Sequence, residues 1–277
     1  MKGATLFPSN MAIAATNDKY NAYLQGKVTA KEAKALGIHM ILAPIVDVNN
    51  NPDNPIINLR AYSDTPNVVS DFAVEFIRGI QDHGLYACAK HFPGHGNTSV
   101  DSHTSLPTIT SSISELEKIE LKPFKTAVDS NVKMIMMGHI AMPALDVSGQ
   151  PASHSYKITT ELLVNKWGFD GLIITDGMEM GGATSEAWSG ESAIRAIEAG
   201  SDIILLPLDV DRTIEAIYSA VLSGRIKEER INFSVNKILN SKKELHLFDY
   251  KFNFEKMSKI VGSKEHLIIA DKVASSS

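Results

Sequence analysis

Five short, almost wholly apolar runs constrain what this chain can fold into: Met40–Val46, Leu85–Ala89, Met134–Met137, Leu172–Ile174 and Ile203–Leu206. None of them alternates apolar with polar residues, so each reads as a strand buried on both faces. Between them lie amphipathic stretches of helical length at 68–83, 112–129, 158–167, 190–199 and 211–223. Asn67 and Ser112 stand where N-caps belong, and Glu115, three residues after Ser112, completes a capping-box pattern. Gly84, Gly168 and Gly200 end helical stretches just before a strand, the usual position of a C-terminal glycine.

Strand then helix, repeated five times, predicts a parallel sheet with helices outside it. Such a sheet closes as an open doubly wound sheet or as a (β/α)8 barrel. No Gly-rich phosphate loop follows any of the strands, which counts against the doubly wound version. Asp47, Lys90, His91, His139 and Asp176 instead stand immediately after the apolar runs, where barrel enzymes keep their chemistry. The expected fold is therefore α/β, a TIM-type barrel. A full barrel takes eight strands in about 250 residues, yet only five are visible and the first begins near residue 40. Residues 1–16 read like the middle of a domain, with a turn at Pro8–Ser9–Asn10 leading into a helix. Residues 263–273 read as a short amphipathic helix that stops at Ser275–Ser277. The expected organisation is a partial barrel over 1–262, lacking its first strands beside Met40–Val46, and a connector helix over 263–277.

Composition narrows the partners. The 277 residues carry a formal net charge of −5, and a nucleic acid or anionic membrane would call for a basic face instead. Cys88 is the single cysteine, too few for an internal disulfide or a thiolate zinc site. No apolar run approaches the ~18 residues of a membrane span. After Lys2 the apolar opening is cut by Pro8, Ser9 and Asn10, unlike a secretory leader.

The chemistry concentrates in Lys90–His103, KHFPGHGNTSVDSH, directly after a buried strand. Pro93, Gly94 and Gly96 make it a shaped loop. So many ionisable side chains at a strand end are costly unless they face a wet cleft. In Asp101-x-His103 a carboxylate can hold one imidazole nitrogen while the other addresses a substrate; that fixes the tautomer and suits proton transfer near neutral pH. The bland alternative is a bond that only stabilises the loop. His91 and His95 are four apart, but Pro93 and Gly94 prevent the helix that would align them on a metal. The second feature is GLIITDGMEM at 171–180, where a buried strand delivers Asp176 to its C-terminal end. That carboxylate could be a nucleophile, a general base or a helix cap. His139 could line the cleft or satisfy a buried hydrogen bond, with the cleft the preferred reading. Asp47 is expected to order the 49–54 loop, Trp167 to pack, and Trp188 to stack on a sugar.

Together these motifs resemble glycoside hydrolase family 3, and within it the β-N-acetylglucosaminidase branch. The supporting runs are FPSNMAIAAT, KEAKALGIHMILAPIVDVNNNPDNPIINLRAYSD and MIMMGHIAMPALD, and the resemblance covers residues 3–275. It implies that Asp176 is the nucleophile of a retaining mechanism and that His103, backed by Asp101, is the general acid/base. It further implies that Arg60, Lys90 and His91 hold the sugar. Most retaining glycosidases use a second carboxylate as the acid/base; a neutral imidazole has the merit of not repelling an anionic Asp176. The implied substrate is a small carbohydrate with a terminal β-linked N-acetylglucosamine, as in peptidoglycan fragments, with no cofactor or metal. The alternatives are a phosphorylase with the same nucleophile and a catalytically silent sugar-binding barrel.

Overall fold

The computed structural model describes residues 3–184 and 188–277. Its sheet contains β1 (Met40–Ile41), β2 (Tyr86–Phe92), β3 (Met134–Met137), β4 (Leu172–Gly177) and β5 (Ile203–Leu205), all parallel and in the spatial order β1-β2-β3-β4-β5. A doubly wound sheet reverses its strand order at a switch point. Here every strand pairs with the next in sequence, so the sheet is a curled half-barrel and the open alternative is removed. The first apolar run forms less strand than its composition predicts. Met40 and Ile41 pair with Tyr86 and Ala87, but Pro44 has no N–H to give and parallel pairing resumes only as the Ile45–Lys90 bridge. β2 and β4 run three residues beyond their apolar cores, carrying Lys90, His91 and Asp176 within the strands.

The helices are α1 (Asn10–Ala15), α2 (Tyr20–Ala35), α3 (Pro66–Gln81), α4 (Ile113–Lys118), α5 (Leu121–Asp129), α6 (Gly181–Thr184), α7 (Ser189–Ala199), α8 (Val210–Leu222), α9 (Glu228–Glu244), α10 (Phe254–Ile260) and α11 (Lys264–Ser275). A π-helix occupies Lys157–Lys166, its wider turn visible in the Trp167 N–H that donates to Leu162 O, five residues back, at 3.0 Å. The capping box is present: Ser112 Oγ accepts from Glu115 N–H, and Glu115 Oε2 from Ser112 N–H at 2.8 Å. Asn67 is not a cap. Pro66 takes the first helical position, which its fixed φ favours, and Thr65 precedes it as the cap. The 112–129 stretch is two helices because a continuous one would drive the Pro123 ring into the Ile119 carbonyl.

The parallel sheet is covered on both faces. Ala87, Ala89, Ile135 and Ile173 pack with α2, α3 and α5 on one side, burying Phe72, Phe76 and Phe124. On the other, Tyr86, Cys88, Met134, Met136, Leu172 and Ile174 meet Leu245 and Ile238. α9, which the sequence did not flag, crosses the N-terminal ends of the strands. Lys237 Nζ reaches Asp202 Oδ2 at 2.7 Å, and Glu244 accepts from the Tyr86 hydroxyl at 2.6 Å and from Lys133 at 3.0 Å. α11, read as a connector, docks on the domain: Val273 is in the core and His266 Nδ1 donates to Glu32 Oε1 at 2.8 Å. Among the described residues no helix is long and apolar enough to cross a membrane.

Candidate active site

The C-terminal ends of β2, β3 and β4 bring the reactive residues together. β4 places Asp176 at its tip, with Gly177 N–H donating to Asp176 Oδ1 at 2.9 Å. β2 carries His91 beside it, Nε2 lying 3.8 Å from Asp176 Oδ2. Burial pushes the Asp176 carboxyl up. The His91 ring, the Gly177 N–H, His139 and Lys90 together outweigh burial and hold it below the ordinary carboxylate range. Asp176 is therefore an anion at neutral pH, as a nucleophile must be.

His91 is aimed from behind. Asp47, fully buried, accepts from His91 Nδ1 at 2.8 Å and from the backbone N–H of His95 at 2.7 Å. A carboxylate only accepts, so His91 carries its proton on Nδ1 and presents Nε2 toward Asp176. Asp47 thus orients His91 and not the 49–54 loop, because its two oxygens are spent on His91 at the end of β2 and on the His95 N–H in the loop after it. Lys90 is half-buried behind the same strand end; burial pushes its ammonium down, and the Arg60 charge adds to this. Arg60 itself is exposed in a short turn, Asn58–Arg60, with Nη1 donating to Ile56 O at 3.0 Å.

His139 takes the buried role, contrary to the cleft-lining expectation. It is 1% exposed, with Nδ1 2.8 Å from Ser153 Oγ and Nε2 3.1 Å from Gly177 O. A carbonyl must receive the Nε2 proton, and burial holds the ring neutral, so Nδ1 accepts from Ser153. The ring is spent on fixing Gly177, one residue beyond Asp176.

The Asp101-x-His103 pair forms as its spacing predicts. His103 Nδ1 lies 2.7 Å from Asp101 Oδ1, which also accepts the His103 N–H at 2.8 Å. The His103 side chain is mostly in solvent and that of Asp101 is half-buried. The loop is tied to the Asp176 loop through backbone: Gly181 N–H donates to His103 O at 2.9 Å and Gly182 N–H to Ser102 O at 3.0 Å. A Cβ at Gly181 would lie 2.5 Å from Thr104 O, so only glycine allows this approach.

Sequence reasoning missed what braces this loop. His95, weighed only as a metal ligand, is buried with Nδ1 2.8 Å from Thr98 Oγ1 and Nε2 2.8 Å from Ser102 Oγ. Asn54 Nδ2 donates to the carbonyls of His95 and Gly96 at 2.8 and 2.9 Å. Gly96 passes so close to Val48 that any Cβ would collide with the Val48 carbonyl. Nothing in the local pattern links Asn54 to a loop 41 residues away; the clue available was only that the loop holds a second histidine with no assigned task. Trp167 packs edge-on against Phe92, as expected. Trp188 is the N-cap residue of α7 and is 60% exposed. Among the described residues no group of three or more His, Cys, Asp or Glu side chains could hold a metal ion.

A family model described as the glycosyl hydrolase family 3 N terminal domain matches residues 1–241. This chain belongs to glycoside hydrolase family 3. Among curated relatives, beta-hexosaminidase A of Pseudoalteromonas piscicida is 34% identical over 265 residues, covering 87% of this chain and 44% of that protein. The beta-N-acetylglucosaminidase/beta-glucosidase of Cellulomonas fimi is 31% identical over 99% of this chain and 50% of its own. Among solved structures, the family 3 beta-N-acetylglucosaminidase of Paenibacillus sp. str. FPU-7 superposes with a TM-score of 0.93 at 36% identity, over 100% of this chain and 53% of that one. Beta-glucoside phosphorylase BglX gives 0.95 at 28% identity, over 99% and 51%. The family 3 domain described here thus spans about half the length of these relatives.

Proposed function

We propose that this family 3 domain carries the machinery of a retaining exo-β-N-acetylglucosaminidase. The observation that carries the reading is the backbone tie between the Asp101–His103 loop and the loop after Asp176, which couples a nucleophile and an acid/base. Asp176, held as an anion, attacks the anomeric carbon and forms a glycosyl-aspartate, while His103 protonates the departing oxygen. His103 then takes a proton from a water that attacks the anomeric carbon; the bond to Asp176 breaks, the aspartate leaves as a carboxylate, and configuration is retained. Asp101 fixes the His103 tautomer. Lys90, His91 and Arg60 are assigned to the sugar hydroxyls, and His139 holds Gly177 behind the nucleophile. The names of the hexosaminidase relatives support an N-acetylglucosaminide, and the resemblance of the fourteen-residue loop supports peptidoglycan fragments as its source. We assign residues 1–262 to the partial barrel and 263–277 to a connector that also packs against it.

The likeness to a phosphorylase favours one second reading, transfer of the sugar to phosphate. One assay tests both: release from a chromogenic N-acetyl-β-glucosaminide and from the plain β-glucoside, each with and without phosphate. The proposal expects preference for the N-acetyl sugar and rates independent of phosphate. Equal rates on both sugars overturn the branch assignment, and sugar 1-phosphate as product establishes the phosphorylase.

A further inference from the structure

A groove of about 820 Å3 lies at the N-terminal ends of β1 and β2, at the end of the sheet away from Asp176. Six lysines line it, Lys31, Lys34, Lys251, Lys256, Lys259 and Lys264, against two carboxylates, Asp249 and Glu265. This is a dense positive patch on a chain whose formal net charge is −5. Local partners absorb part of it. Lys31 lies 3.9 Å from Glu265, Lys259 lies 2.6 Å from Glu255, and Lys34 Nζ donates to His83 O at 3.4 Å. The ammonium groups of Lys251, Lys256 and Lys264 have no hydrogen-bond or ion-pair partner among the described residues. Like charges gathered on a concave, low-dielectric wall repel one another and focus a positive field into the space between them.

The wall also has a rigid aromatic element. Tyr250 is held from two sides: its hydroxyl donates to Lys34 O at 3.3 Å, and its ring meets His39 edge-on with centroids 4.9 Å apart. The volume falls within the roughly 300–1,000 Å3 of small-molecule sites. Concavity and size favour a compact anion over a membrane or a nucleic-acid strand, either of which needs an extended face.

We propose that this groove binds a small oligophosphate anion, its phosphates on Lys251, Lys256 and Lys264 and any attached ring against Tyr250. Phosphate spreads several charges over oxygens that accept from point-charge ammonium groups, which suits flexible lysines. The site is independent of the glycosidase reading, since none of its residues belongs to the Asp176 cluster.

Calorimetric titration with inorganic tripolyphosphate and, separately, with ATP tests it, using adenosine as the uncharged control. The expected result is one saturable site of micromolar affinity for a phosphate ligand, weakened about tenfold or more at high salt. Lys251→Glu with Lys256→Glu, both at exposed positions, should reduce affinity at least about tenfold while leaving the melting temperature and glycoside hydrolysis unchanged. Tighter binding of ATP than of tripolyphosphate identifies a nucleotide-like ligand; equal binding identifies the phosphate chain alone. No saturable binding at low salt overturns the proposal, as does binding that survives the double charge reversal.

Discussion

His103 keeps 59% of its side chain in solvent while its Nδ1 is held 2.7 Å from Asp101 Oδ1, a poor arrangement for stability and a good one for exchanging protons with a substrate. A surface pair of this kind contributes little to folding, so its loss should be read in catalysis. His103→Ala should slow glycosides with poor leaving groups far more than activated aryl glycosides, because only the former need the departing oxygen protonated. A uniform loss on both, measured as kcat/KM, would make His103 a sugar-positioning residue instead. The partner has its own signature. Slight burial pushes the Asp101 carboxyl up, but the His103 N–H and imidazole outweigh it and hold Asp101 below the ordinary carboxylate range. Its charge is therefore present at neutral pH and is lost only as pH falls through that lowered value. Asp101→Asn keeps the shape and removes the charge; it should lower kcat by about 100-fold or more at neutral pH and alter the pH profile. An unchanged profile would mean the pair serves the loop alone.

One scale up, the element that matters is the loop from Pro93 to Thr104, which has no helix or strand of its own and is shaped from behind. Asp47 fixes its start, Asn54 its middle, and His95 its return through Thr98 and Ser102. Burial holds the His95 ring below its ordinary range, so it is neutral and bridges the two hydroxyls as one donor and one acceptor. His95→Phe keeps the ring volume and removes both bonds, leaving the buried Ser102 hydroxyl unpaired at about 1–3 kcal/mol. The expected outcome is a melting temperature lower by roughly 2–4 °C per kcal/mol. kcat should fall with little change in KM, since His103 is displaced and the sugar contacts proposed for Lys90 and His91 on β2 are not. A variant with wild-type kcat would show that the loop does not depend on this bridge.

At the scale of the whole molecule, the two ends of the described chain are joined through one buried side chain on α2. Glu32 accepts from Thr5 N–H at 3.0 Å and Thr5 Oγ1 at 2.7 Å, and also from Gly262 N–H at 3.0 Å and His266 Nδ1 at 2.8 Å. Burial pushes the Glu32 carboxyl up, but these donors prevail and its folded-state pKa is lowered. A lowered carboxyl pKa contributes stability above the unfolded value of about 4.3, lost as pH falls through the folded value. Glu32→Gln should thus cost about 1–3 kcal/mol in urea unfolding at neutral pH. The difference from wild type should shrink in acid, and a penalty that grows on acidification would contradict this account. The same clamp holds α11 against α1 and α2, while β1 and β5 form the two outer strands of the half-barrel.

Much of the architecture is legible in sequence because it is written locally. Continuous apolar runs mark β2 to β5, Ser112 and Glu115 write their own cap, and Gly84, Gly168 and Gly200 adopt the positive φ that ends a helix. The Asp101–His103 contact was equally readable, since two residues of spacing suffice to form it. Asp176 and His91 could be nominated because the tip of a parallel strand is where a barrel exposes its chemistry. Tertiary structure decided the rest. Whether His139 faced the cleft depended on Ser153 and Gly177, and what Asp47 did depended on a strand end 44 residues away. A hydrogen-bond partner far along the chain leaves no periodicity or spacing behind it. Strand order belongs to the same class: five strand-helix units permit two closures, and only the pairing of each strand with the next chose the half-barrel over the doubly wound sheet.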